Sequence, residues 1–203
     1  MIEAVLFDLG GVLERVAAAP RVETWTGGRI PASEFWARWL AAESVDRFES
    51  GKIGAIEFAE LAVPELGLSI SPGEFLSDFQ SWLAGPYEGA SDLVAQVRSR
   101  GYAVASLSNS NAVHWPIMEL HQNTGRAFDA NFPSHVLGIC KPRPDAFREA
   151  ALRWGREPST ILFLDDNEVN CDGARLAGMQ AQRVAGPVEA WRALVDAGIL
   201  NAA

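Results

Sequence analysis

The sequence predicts an α/β fold: a parallel sheet covered on both faces by helices, with a helical segment inserted after its first strand. Three observations predict it. Short apolar runs of strand length alternate with helical patterns through the second half of the chain, as parallel strands joined by crossover helices require. The first, second and fourth runs, around Val5, Val104 and Phe163, are largely apolar rather than alternating, the mark of strands buried on both faces. Between residues 14 and 86 the alternation stops, and helical patterns continue without a convincing strand.

The first strand is read at Ile2 to Phe7, ending on Asp8 with "LGG" behind it. In the insertion, Ser33 is placed to cap a helix carrying Phe35, Trp36, Trp39 and Leu40. "RFESGKIGAIEF", with Arg47 and Lys52, reads as a helix end and a turn. In "SPGEFLSDFQSWL", Ser71 and Glu74 form a capping box with Pro72 in the first turn, and Phe75, Phe79, Trp82 and Leu83 share a face. Four of the seven tryptophans, Trp25, Trp36, Trp39 and Trp82, lie in this segment at spacings that predict packing. The second strand is read at Ala103 to Leu107, a weak third at Phe128 to Pro133, the fourth at Ile161 to Leu164 and the fifth at Gln180 to Val184. A helix from Asp145 to Trp154 precedes the fourth, with Phe147, Ala151 and Trp154 on one side. Residues 1–13 and 87–203 are therefore expected to form the core, and residues 14–86 a helical cap.

Composition bounds the function. The chain has 203 residues, 48% apolar and 21% charged, enough to bury one sizeable core. A net charge of -9 argues against a nucleic-acid surface or a polybasic membrane patch, both of which need excess Lys and Arg. A small anion is still acceptable, since a local Lys, a cation and backbone N–H groups can hold it. Cys140 and Cys171 lack metal or redox spacing and are expected to be buried. The N-terminal apolar run has no basic residue before it and is broken by Asp8, so neither a signal peptide nor a membrane span is expected, and a cytoplasmic location is.

Ligands of open parallel sheets bind beyond the carboxyl ends of the strands, so the polar residues at those ends are the candidates. They are Asp8; Ser108, Asn109 and Ser110; and Asp165, Asp166 and Asn170, with Lys141 ahead of the "PRPDAF" helix. Any one of them could be an ordinary helix cap. Together they place several carboxylates at one sheet edge, which is costly unless a cation sits among them, and a hard, oxygen-rich site suits Mg²⁺. Lys141, the Ser108 hydroxyl and N–H groups near Asn109 would then neutralise phosphate oxygens while Asp8 attacks phosphorus.

"FDLGGVL", "SLSNSN", "LGICKPRPDAF" and "FLDDNEVN", in this order, resemble the four motifs of the haloacid dehalogenase-like hydrolases. The resemblance implies a Rossmann-like core with strand order 3-2-1-4-5 and a helical cap, and a small phosphorylated substrate. It implies Asp8 as nucleophile, a Mg²⁺ site of Asp8, the Gly10 carbonyl and Asp166, phosphate binding by Ser108, Asn109 and Lys141, an auxiliary acid at Asp165, and a supporting role for Asn170. Most phosphatases of the family carry a second Asp where this chain has Gly10, so the proton transfer which that Asp performs needs another explanation. One is a leaving group that needs little protonation, such as an anomeric sugar or an acyl group; the motifs are similar to those of alpha-D-glucose-1-phosphate phosphatases. Another is a 2-haloacid dehalogenase, disfavoured because Asp165 and Asp166 would repel a carboxylate substrate. A third is an inactive binding or regulatory module. Glu14 is a candidate surrogate acid, more simply read as solvated; His114 is placed to touch substrate or to pack, and neither His121 nor His135 shows metal spacing.

Overall fold

A computed structural model describes residues 1–17, 19–122 and 127–201. β1 (Ala4–Phe7) leads into β2 (Glu14–Val16), followed by α1 (Ala19–Thr26), α2 (Ala32–Ala41), α3 (Glu43–Glu49), α4 (Ala55–Glu65), α5 (Pro72–Phe79) and β3 (Leu83–Pro86). Next come α6 (Ala90–Ser99), β4 (Ala103–Ser108), α7 (Trp115–Gln122), β5 (Ala130–Pro133), α8 (Ser134–Leu137), α9 (Pro144–Trp154), β6 (Ile161–Asp165), α10 (Glu168–Leu176), β7 (Gln180–Arg183) and α11 (Gly186–Asp196). β1, β4, β5, β6 and β7 form one sheet, all parallel, in the order β5-β4-β1-β6-β7. This is the 3-2-1-4-5 order expected of the chain.

The alternation of side chains along each strand builds two cores. Val5, Phe7, Val104, Leu162 and Leu164 pack on one face with residues of α6 and α11. Ala4, Leu6, Ala105, Leu107, Ile161 and Phe163 pack on the other with residues of α9 and α10. A third cluster belongs to the insertion, where Trp25, Phe35, Trp39, Phe48, Phe58, Phe75, Phe79 and Trp82 pack together. The capping box at α5 is present, with the Glu74 N–H donating to Ser71 Oγ and the Ser71 N–H to the Glu74 carboxylate. "RFESGK" ends α3 and turns at Gly51, whose φ is 72°.

Two expectations need correction. The insertion does contain strands: β2 and β3, at its two ends, pair antiparallel with a register irregularity between Glu14 and Val16. Both are short and carry Arg, Gly or Pro, so their apolar content gave no strand signal. Ser33 does not cap α2; Pro31 stands at the N-cap with extended backbone, and Ser33 falls in the first turn. Cys140 and Cys171 are buried as expected, and burial pushes both thiols up to about 12. No helix among the described residues is long and apolar enough to cross a membrane.

Candidate active site

Register brings the first carboxylates together. Phe7 pairs with Leu164 of β6 and the Asp8 N–H donates to the Leu164 carbonyl at 2.8 Å, so Asp8 and Asp165 leave adjacent strands side by side. Lys141 reaches between them, its ammonium 2.9 Å from Asp8 Oδ1 and 2.6 Å from Asp165 Oδ2. All three residues are buried. Asp8 Oδ1 also accepts the Leu9 N–H at 2.7 Å. Asp165 accepts the Asn167 N–H at 2.8 Å and both oxygens accept from Asn170 Nδ2, at 3.0 and 3.1 Å.

Two close approaches hold the loops in place. Gly11, at φ 75°, lies so near the Asp166 carboxylate that a Cβ would collide with it; a left-handed backbone and a carboxylate contact at one position leave only glycine. A Cβ on Gly173 would strike the Pro142 carbonyl, so α10 sits flush against the loop carrying Lys141. That loop is also clamped from β4: Asn109 Nδ2 donates to the Lys141 carbonyl at 2.9 Å, and the Lys141 N–H to Asn109 Oδ1 at 2.8 Å.

The electrostatics follow from burial. Desolvation raises the Asp8 carboxyl well above the usual carboxylate range; Lys141 opposes the shift, and Asp165 and Asp166 add to it. Desolvation alone would lower Lys141, but Asp165 and Asp8 carry its ammonium above the ordinary value. The Asp166 carboxyl is also raised, by desolvation and then by Asp165.

The carboxylate oxygens of Asp8, Asp165 and Asp166 include one from each that lie within 4.8 Å of one another. Asp165 is already engaged by Lys141, Asn167 and Asn170, whereas Asp166 shows no such set of donors. The first loop is tied by the Gly11 N–H to the Glu14 carbonyl and by the Glu14 N–H to the Leu9 carbonyl, and neither bond uses the Gly10 carbonyl. An all-oxygen set of Asp8, Asp166 and the Gly10 carbonyl fits a hard divalent cation such as Mg²⁺.

Above these groups lies a cavity of about 240 Å³. Asp8, Gly10, Ser108, Lys141 and Asp166 line it from the core, and Trp36, Trp39, Trp82, Phe79 and Glu49 from the insertion. Trp82 lies 4.8 Å from Trp39 between ring centroids, and its buried Nε1 has no hydrogen-bond partner among the described residues. His114 lines the cavity too, stacked 4.1 Å from Phe79, with Nε2 2.6 Å from the Phe79 carbonyl. Desolvation lowers its pKa to about 4, so the ring is neutral, and the carbonyl contact makes Nε2 the protonated nitrogen.

The structure thus brings Asp8, Gly10, Ser108, Asn109, Lys141, Asp165, Asp166 and Asn170 together. Glu14 differs from its reading as a solvated or surrogate acid: it is fully buried, its Oε1 lies 2.8 Å from His121 Nδ1, and it does not line the cavity. Sequence reasoning passed over Glu49. A signal was present, since a carboxylate in the last turn of a helix opposes the macrodipole and asks for a reason.

A parallel sheet in this order, with an acidic cluster at the carboxyl ends of its central strands and a helical insertion behind the first, is a Rossmann-like α/β scaffold. The chain belongs to the haloacid dehalogenase-like hydrolase family, whose model matches residues 2–178. It is 30% identical over 193 residues to the phosphatase MT3486 of Mycobacterium tuberculosis, covering 90% of this chain and 87% of that protein. Its fold is similar to that of a family enzyme from Bacteroides thetaiotaomicron in complex with magnesium and inorganic phosphate, with TM-score 0.72, 23% identity, and 90% and 94% of the two chains covered. It is also similar to an L-2-haloacid dehalogenase from Xanthobacter autotrophicus, with TM-score 0.69, 25% identity, and coverage of 98% and 85%.

Proposed function

We propose that this chain is a Mg²⁺-dependent phosphatase of a small phosphorylated metabolite, with Asp8 as nucleophile and residues 14–86 acting as a cap over the site. One observation carries the reading: a buried carboxylate, held by an ammonium and a backbone N–H, stands at the floor of a cavity of small-molecule size beside a second carboxylate. The similarity to a phosphatase over nine-tenths of the chain supports it.

Asp8 Oδ1 takes both the Lys141 and Leu9 hydrogen bonds, leaving Oδ2 as the oxygen that attacks phosphorus in line with the leaving group. Lys141 then serves two ends, orienting Asp8 and offering positive charge to a phosphate oxygen. The Ser108 hydroxyl, on a buried residue that lines the cavity, supplies a further donor. Asp165 is occupied by three donor groups, which suits a buttress for Lys141 better than a proton donor. Asn109 acts in the same way from the other side, holding the Lys141 backbone. When bound by Asp8, the Gly10 carbonyl and Asp166, Mg²⁺ would screen the repulsion between the carboxylate and the incoming phosphate.

The cap wall supports a finer substrate class. Trp36, Trp39 and Trp82 offer flat apolar faces, and the unpartnered Trp82 Nε1 offers a donor, a combination that suits the C–H faces and hydroxyls of a sugar ring. An anomeric sugar phosphate is the reading we adopt. The test is a phosphate-release screen across anomeric, acyl and terminal sugar phosphates, with Mg²⁺ and with EDTA. Release should be highest on an anomeric ester and stop in EDTA, and Asp166→Ala should raise the Mg²⁺ requirement sharply. Halide release from a 2-haloacid that persists in EDTA would establish the dehalogenase instead.

A further inference from the structure

With Gly10 in the first loop, no side chain there can move a proton to the leaving oxygen. The nearest acid on the loop, Glu14, is buried against His121 outside the cavity. Asp165 is saturated with donors, and Asp8 and Asp166 are committed to attack and to the cation. Among the acids that line the cavity, that leaves one, and it comes from the insertion.

We propose that Glu49 is the general acid and base of this enzyme, delivered from the cap to the position that Gly10 leaves without a carboxylate. This deepens the phosphatase reading and rests on it. Glu49 ends α3 and lines the same cavity as Asp8, Gly10, Lys141 and Asp166. Its carboxylate makes no hydrogen bond or ion pair within 4 Å to any described residue, which is unusual for a half-buried acid.

Its backbone, by contrast, is fixed to the core. Ser134 Oγ donates to the Glu49 carbonyl at 2.6 Å, Arg143 pairs with Asp46 one turn earlier at 2.7 Å, and Gly51 packs so closely on the His135 carbonyl that a Cβ would collide. A side chain with an anchored base and an unpartnered head is arranged to meet a ligand.

The protonation state agrees with the role. Desolvation raises Glu49 to about 7, with Lys141 lowering it and Asp46 adding to the rise. The charged groups facing it are Lys141 from the loop before α9, Asp46 on its own helix, itself paired with Arg143, and Asp8 and Asp166 across the cavity; His114 is neutral. A group with this affinity can both give and take a proton near neutral pH.

The step balances. Asp8 Oδ2 forms a bond to phosphorus as the bond from phosphorus to the leaving oxygen breaks, and protonated Glu49 gives its proton to that oxygen. The alcohol departs, leaving an acyl phosphate on Asp8 and a carboxylate on Glu49. Glu49 then takes one proton from a water whose oxygen attacks phosphorus; the bond to Asp8 breaks, and phosphate, the Asp8 carboxylate and protonated Glu49 are restored.

The test compares esters that differ in their need for a proton. Wild type, Glu49→Gln and Glu49→Asp are assayed with Mg²⁺ on an alkyl phosphate and on 4-nitrophenyl phosphate, whose phenolate leaves unaided, with circular dichroism reporting the fold. Glu49→Gln should lose about 10²- to 10⁴-fold in kcat/KM on the alkyl ester and far less in kcat/KM on the nitrophenyl ester, since that ratio reads only the steps up to departure of the alcohol, while the shared hydrolysis of the acyl phosphate shows in kcat. The alkaline fall of the wild-type alkyl rate should vanish with it, and Glu49→Asp should keep part of the activity, reading the same contrast should the Gln variant fail to fold. Adding Gly10→Asp to Glu49→Gln should restore alkyl turnover, since a Cβ at Gly10 meets only Val16 Cγ2, at 3.6 Å. Equal losses of kcat/KM on both esters, no loss, or wild-type activity confined to the nitrophenyl ester would overturn the assignment while sparing the phosphatase reading. Wild type that releases phosphate from neither ester overturns both.

Discussion

At the floor of the site both oxygens of Asp165 are matched by donors, and Lys141 is gripped at its ammonium, its N–H and its carbonyl. At the wall the Glu49 carboxylate and the Trp82 indole nitrogen have no such partners among the described residues. The floor comes from strand ends in one parallel sheet, where register fixes each neighbour. The wall comes from an insertion with its own aromatic core, laid against the core domain at contacts such as Ser134 with the Glu49 carbonyl, Arg143 with Asp46 and His114 with Phe79. The difference teaches how to read a buried polar group: one whose bonds are filled by the protein holds the site's shape, and one left unfilled is kept for what enters.

The comparison can be broken most severely at Asp8. Asp8→Asn should reduce turnover roughly 10⁴-fold or more, because the amide cannot act as an anionic nucleophile. Its thermal midpoint should equal or exceed that of wild type, since the buried charge is removed while Lys141 keeps Asp165. Retention of most of the phosphatase rate would remove Asp8 from the role.

Lys141→Met attacks the floor's stability as well as its chemistry. It leaves Asp8 and Asp165 buried side by side without their shared cation, and breaking such a pair from one side costs about 3 to 5 kcal/mol. Urea unfolding without Mg²⁺ should show the loss; a variant as stable as wild type would mean that the ammonium is not what holds the carboxylates together.

A smaller effect sharpens the account of the wall. His114 has a folded pKa of about 4, lowered by desolvation from 6.5, so the unfolded chain binds the extra proton first. The sign follows: stability from the neutral ring is full above about pH 6.5 and lost as pH falls toward 4, by an amount on the order of 3 kcal/mol. The raised Asp8 and Glu49 carboxyls work in the opposite sense, so the reading is the difference between wild type and His114→Gln. That difference should narrow with acidification from pH 7 to 4.5, and a constant difference would show that the ring is not held neutral.

The sheet and the floor were legible in the sequence because both rest on local patterns: apolar runs long enough for one strand each, and polar residues directly after them. Asp8 and Asp166 could be singled out for that reason, and Lys141 by its place ahead of the "PRPDAF" helix. β2 and β3 were not legible, since "ERV" and "LAGP" owe their pairing to each other and not to their own content. Glu14 misled because burial beside His121, more than a hundred positions away along the chain, leaves no trace near residue 14. Glu49 was hidden in the same way, as its importance lies in which wall of which cavity it faces.

Ser134, met above only as an anchor, does more than that. Its hydroxyl accepts the Ser110 N–H at 2.9 Å and lies within reach of two carbonyls, Glu49 at 2.6 Å and Ser110 at 3.0 Å. A hydroxyl owns one proton and can give it to one acceptor at a time. While the insertion is seated, the shorter contact holds that proton across the seam. Were the insertion to lift, that proton could pass to the Ser110 carbonyl, and no buried donor would be stranded. The seam at Ser134 is thus closed by a hydrogen bond that has a ready substitute on the core side.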